Sequence, residues 1–93
     1  MPTYAVTYEY DDRAALRDEL RPAHRFFLRA LLEDGVLLAS GPLGTTGPGA
    51  LIVLSADSAD AALAVLDADP FRTAGLIASR QAREWDPVLG PWA

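Results

Sequence analysis

The apolar and polar positions of this chain switch period along its length, from two to about 3.6 and back. Tyr4-Ala5-Val6-Thr7-Tyr8-Glu9-Tyr10 is rich in aromatic and β-branched residues and puts Tyr4, Val6, Tyr8 and Tyr10 on one side, as a strand does. Asp11-Asp12 ends that strand and predicts a first turn of helix over Arg13 to Glu19. A longer helix is predicted from Arg21 to Asp34, with Pro22 in its first turn and Gly35 as its stop. On a wheel of 100° per residue, Leu20, Ala23, Phe27, Ala30 and Leu31 form one stripe, with Arg25, Arg29 and Glu33 opposite. Leu28, Leu32 and Phe26 widen the apolar arc beyond what one sheet face needs, which suggests a second partner surface.

Val36 to Ser40 reads as a short buried strand ending in Gly41-Pro42, and Gly44 to Gly49 as a turn into the next strand, Ala50 to Leu54. Asp57 or Ser58 is placed to cap a second helix, which turns Ala61, Ala62, Val65 and Leu66 inward and closes at Asp69, ahead of Pro70. A short turn over Pro70 to Ala74 leads through Gly75 into a last strand, Leu76 to Glu84, and an aromatic, proline-punctuated tail from Trp85 to Trp92. Strand, helix, strand, strand, helix, strand predicts an α+β fold of the ferredoxin-like βαββαβ type. Its four-stranded antiparallel sheet carries both helices on one face, and residues 1–93 form a single domain. In a chain this small the other sheet face is expected to be covered by a second copy, making a homodimer.

Composition narrows the function classes. The 93 residues carry 13 acids against 8 bases, a net charge of -5, and every base is arginine. No basic cluster appears, so a nucleic-acid partner is not expected. Zero cysteines remove disulfides, thiolate nucleophiles, iron–sulfur clusters and cysteine zinc sites. A single histidine, His24, cannot build a multi-histidine metal site, and no cofactor is implied. The uncharged stretch from Gly35 to Ala56 is long enough to raise the question of a membrane span, but Pro42, Gly44, Gly47, Pro48 and Gly49 interrupt it. With no secretory-type start, the expectation is a cytoplasmic protein without a membrane partner.

Few residues remain to carry chemistry. His24 has the side chain suited to proton transfer near neutral pH, and sits at the shoulder of the apolar stripe with Arg21 on the same flank. It reads either as a boundary histidine bonded to a carbonyl or as an acid–base group. Asp69 reads either as the N-cap of the Pro70 turn or as a carboxylate that orients His24, and its several acceptor positions allow both. Ser40-Gly41 marks a strand end or a place where a ligand approaches the backbone. No Gly-x-Ser-x-Gly elbow supports a serine hydrolase, and the Gly44 to Gly49 loop lacks the lysine and following helix of a phosphate-binding loop.

Taken in order, Tyr4-Ala5-Val6, Arg21-Pro22-Ala23-His24, Leu28 to Leu32 with Gly35, Ser40-Gly41-Pro42, Asp69-Pro70-Phe71, Gly75 and Trp85 resemble the YCII-related (YciI-like) family. That resemblance implies a dimeric α+β barrel-like assembly with sheets packed face to face. It also implies a pocket with a histidine–aspartate pair, carried here by His24 and Asp69, with Arg21, Ser40, Gly41 and Phe71 as pocket wall. The activities it implies are proton-shuttling reactions on small rings, like those of muconolactone isomerase or a dehydrochlorinase acting on halogenated aromatic diols. The chain is thus expected to act on a small cyclic or aromatic molecule as an isomerase or lyase without a cofactor. The alternative is a non-catalytic dimeric ligand-binding or accessory module. A third possibility is a cofactor-free monooxygenase-like plait with Trp85 and Trp92 lining its cavity.

Overall fold

In the computed structural model, which describes residues 1–44 and 47–93, the alternating first segment forms strand β1 (Thr3–Tyr10). Its odd and even positions separate as the pattern demands: Tyr4, Val6 and Tyr8 are buried, while Glu9 is exposed. The remaining elements are helix α1 (Ala14–Glu33), strands β2 (Leu37–Pro42) and β3 (Gly49–Ser55), helix α2 (Ala59–Val65), the one-turn helix α3 (Pro70–Thr73) and strand β4 (Ile77–Trp85). The sheet order is β2-β3-β1-β4, and every neighbouring pair is antiparallel. The turn expected over Gly44 to Gly49 includes Thr45 and Thr46, which lie outside the described residues; the strands it joins pair through Pro42 opposite Ala50.

Both long helices cover the same sheet face. Leu28 of α1 and Ala62 of α2 share one core with Tyr4, Val6, Tyr8, Ile52 and Leu54. Ser58 is the cap of α2, its hydroxyl accepting from the Ala61 amide at 3.0 Å. After α2 the chain tightens into a 3₁₀ turn, Leu66–Ala68, and Asp69 caps α3 with Pro70 at its first position, as the sequence predicts.

Two expectations for α1 are corrected. The helix is continuous from Ala14 to Glu33 rather than restarting at Arg21, and Pro22 lies inside it. Proline removes one backbone donor, but Pro22 is on the exposed side, where water can serve the bared carbonyl. Packing on both sides of Pro22, through buried Arg17 before it and His24 and Leu28 after it, holds the helix together. The buried face is also turned: Ala23 and Ala30 are exposed, and His24 sits at the centre of the buried line rather than on its shoulder. Burying two alanines gains little area. Turning the face instead gives the His24 ring and the Arg17 guanidinium polar partners inside. At its end, the Val36 amide bonds to the Leu31 carbonyl at 3.0 Å and the Gly35 amide to that of Leu32 at 3.1 Å. That motif needs the left-handed φ of 78° at Gly35.

The tail from Trp85 turns back over the outer sheet face. Trp92 meets Trp85 edge-on, with ring centroids 6.1 Å apart. Together with Ala39, Leu43, Leu51 and Val53 they outline a shallow apolar depression of about 240 Å³. Both tryptophans are about two-fifths exposed, so neither belongs to the core, and neither lines the cavity beside His24.

Candidate active site

Asp69 is where the local and the long-range structure meet. The proline after it forces the backbone at Asp69 out of helical geometry, so its side chain turns forward onto the start of α3 and one oxygen, Oδ1, accepts from the Phe71 amide at 3.0 Å. The same Oδ1 lies 2.7 Å from Nδ1 of His24, while Oδ2 accepts from the Tyr8 hydroxyl at 3.0 Å. The carboxylate is completely buried. Three donors from β1, α1 and α3 compensate its desolvation, as a buried charge requires. Asp69 is therefore both cap and partner of His24.

His24 is fixed on two sides. Its Nδ1 faces Asp69, and its ring stacks on Phe71 with centroids 4.0 Å apart and planes within 7°. A carboxylate on Nδ1 holds the proton there and leaves Nε2 as the free base. Among the described residues Nε2 has no hydrogen-bond partner, and no buried side-chain nitrogen or oxygen goes unpartnered, so Nε2 is the open end of the ring. It opens toward a cavity of about 250 Å³ between α1, α3 and the β2–β3 edge.

Five of the six residues singled out from the sequence line this cavity: Arg21, His24, Ser40, Gly41 and Phe71. Asp69 does not reach it and stands behind His24 instead. Leu28, Ala50 and Ile52 supply apolar wall. Tyr10 and Arg25 also line the cavity and were missed, as was Tyr8 behind Asp69. Tyr8 and Tyr10 read as ordinary strand tyrosines on the buried side, and Arg25, expected on the solvent face, is exposed there but at the rim of this cavity. The signal for Arg25 was its spacing: it lies one turn after Arg21.

The tyrosines are held neutral. Burial, reinforced by the neighbouring Asp69 charge and the hydrogen bond to it, pushes the Tyr8 phenol far above its ordinary value. Tyr10 is pushed up to about 12, again mainly by burial, with Asp69 adding and Arg17 and Arg21 opposing. The Arg17 guanidinium lies 5.1 Å above the Tyr10 ring, and the ring meets Phe71 edge-on at 5.4 Å. Among the described residues no group of histidines and carboxylates is arranged to hold a metal ion. No described helix is long and apolar enough to cross a membrane.

A sequence profile of the YCII-related domain matches residues 1–86. Protein YciI from Escherichia coli O6:H1 is 35% identical, over 76% of this chain and 84% of the relative. The fold superposes with a TM-score of 0.75 on 5-chloro-2-hydroxyhydroquinone dehydrochlorinase from Burkholderia phenoliruptrix, solved with 2,5-dihydroxybenzoquinone. That match has 22% identity and covers 90% of this chain and 93% of the other. An antibiotic biosynthesis monooxygenase superposes at 0.55 with 16% identity, covering 96% of this chain and all of that one. At those identities the two structures establish the ferredoxin-like α+β architecture, while the profile and the Escherichia coli relative carry the ancestry. On that ground the chain belongs to the YCII-related domain family.

Proposed function

We propose that the protein is an acid–base enzyme acting on a small cyclic or aromatic molecule, with His24 as the proton carrier and Asp69 as the group that orients it. The observation that carries this reading is the 2.7 Å contact between Nδ1 of His24 and Asp69, combined with an Nε2 that opens on a cavity. In that arrangement Nε2 takes a proton from a carbon next to a carbonyl, and the electron pair moves onto the carbonyl oxygen as an enolate. The imidazolium that forms is stabilised by the Asp69 carboxylate. The Ser40 hydroxyl, the Gly41 backbone and the Arg21 guanidinium are the groups proposed to meet the substrate's oxygens. Returning the proton to a different carbon gives an isomerisation. Expelling a leaving group such as chloride gives an elimination, and His24 then releases its proton to water.

Positioned proton transfer of this kind contributes about 10²–10⁴ in rate, which suits substrates whose carbon acids are already activated by a carbonyl. The dehydrochlorinase that shares the fold is named for a small chlorinated, hydroxylated ring. The reading includes a homodimer in the cytoplasm, built on the sheet face opposite the helices, and sedimentation of the purified protein tests the dimer. The decisive test of the function is a panel of halogenated hydroxyquinols and small lactone acids assayed with the wild type and His24→Gln. Turnover that falls at least about a hundredfold in a folded variant supports the reading, and equal turnover contradicts it.

A second reading, a non-catalytic ligand-binding module, is favoured by the structural duty of Asp69, which caps α3 whatever His24 does. The two readings differ in whether any member of the panel is converted or only bound.

A further inference from the structure

We infer that the ligand of this cavity is a small organic anion, a ring bearing a carboxylate or similar oxyanion, and that Arg25 is the residue that holds its charge. This rests on the proposal that the cavity beside His24 is the working site, and adds to it the class of molecule admitted.

The charge distribution is the first argument. The chain is acidic overall, with 13 acids against 8 bases, yet none of those acids lines the cavity while two arginines do. Arg21 and Arg25 lie one helical turn apart on α1, both to the same side of His24 around the helix, and all three residues line the cavity. Arg21 already pairs with Asp18 through Nη1, which leaves only its other nitrogens for the ring oxygen proposed above. Arg25 makes no hydrogen bond or ion pair to any described residue and is exposed at the cavity rim. A guanidinium without a partner at the edge of a concave site is fitted to a planar carboxylate, which it can grip with two parallel bonds.

Polarity and size are the second. Inside the rim the wall is apolar, with Leu28, Ile52 and Phe71 all buried. The cavity of about 250 Å³ is smaller than the roughly 300–1,000 Å³ of sites for drug-sized ligands, which favours a single substituted ring over a nucleotide or peptide. A ring against the apolar wall with its anionic group at Arg25 would lie within reach of Nε2 of His24.

Isothermal titration with 4-hydroxybenzoate and its neutral counterpart 4-hydroxybenzamide tests the assignment on the wild type, Arg25→Gln and Arg25→Lys. The acid should bind about tenfold or more tightly than the amide, and added salt should weaken the acid alone. Arg25→Gln should abolish the difference, and Arg25→Lys should retain part of it. Equal affinities, no detectable binding of the acid, or a difference untouched by Arg25→Gln overturns the assignment. The readout involves no turnover, so it is separable from the acid–base proposal. Charge selectivity that persists in His24→Gln supports the anion site even if the catalytic reading fails.

Discussion

Tyr8 and Asp69, sixty-one positions apart, share a completely buried hydrogen bond of 3.0 Å. It ties the middle of β1 to the cap of α3, behind the ring of His24 and out of reach of the cavity. Tyr8→Phe keeps the ring and removes only the hydroxyl. The completely buried carboxylate then loses one of its three donors, a cost of about 1.5–3 kcal/mol. For a domain of this size each kcal/mol lowers Tm by roughly 4–8 °C. A thermal melt that shows no change would mean the bond contributes nothing net.

Asp69→Asn separates charge from hydrogen bonding. Oδ1 serves both the Phe71 amide and Nδ1 of His24, so an asparagine that keeps its carbonyl oxygen there still caps α3 and still offers Nδ1 an acceptor, with its NH2 turned toward the Tyr8 hydroxyl. What is removed is the negative charge that stabilises the imidazolium. Turnover should fall by about 10²–10⁴ with only a modest loss of stability. A fully active Asp69→Asn would show that the carboxylate charge contributes nothing to the proton transfer.

Gly49 opens β3 opposite Glu9, and a Cβ placed on it would stand 2.5 Å from the Tyr8 carbonyl oxygen. Backbone cannot yield as a side chain does, so Gly49→Ala should destabilise by about 1–3 kcal/mol and disturb the wall of the cavity it lines. Denaturant unfolding measures the loss. A neutral substitution would mean the two strands part there at little cost.

High pH tests the buried phenols. Both Tyr8 and Tyr10 lie above their ordinary value of 10.0 in the folded protein, so between the two values the native state keeps protons that the unfolded chain has released. Their contribution is fully present below pH 10 and declines as pH rises past it. Tyrosinate absorbance for Tyr8 and Tyr10 should therefore appear together with loss of circular dichroism. Ionisation of both near pH 10 in a folded protein would contradict the burial described here.

Much of this architecture was legible from local pattern. The alternation from Tyr4 to Tyr10, the glycine after Asp34 and the Asp-Pro pair at 69–70 each act over a few residues, and each does in the fold what its chemistry suggests. The errors lie where a long-range contact decided. The sequence shows Pro22 as a helix start because nothing local reveals that Arg17 and His24 will be anchored on either side of it. The apolar count along α1 puts alanines and leucines at the centre of its buried face, whereas the bond to a buried carboxylate 45 positions away holds His24 there. Tyr8 was legible as a core residue but not as a partner of Asp69, since strand spacing says which side a residue faces and not what it meets there.

The central claim is that the one histidine keeps its proton on Nδ1, toward Asp69, and offers a bare Nε2 to the cavity. With a single histidine in the chain, a long-range ¹H–¹⁵N correlation spectrum reports on it without ambiguity. At a pH where the ring is neutral, the account predicts a protonated Nδ1 and an unprotonated Nε2 whose shift moves when 4-hydroxybenzoate is added. A ring protonated on Nε2, or one sampling both tautomers equally, would contradict it.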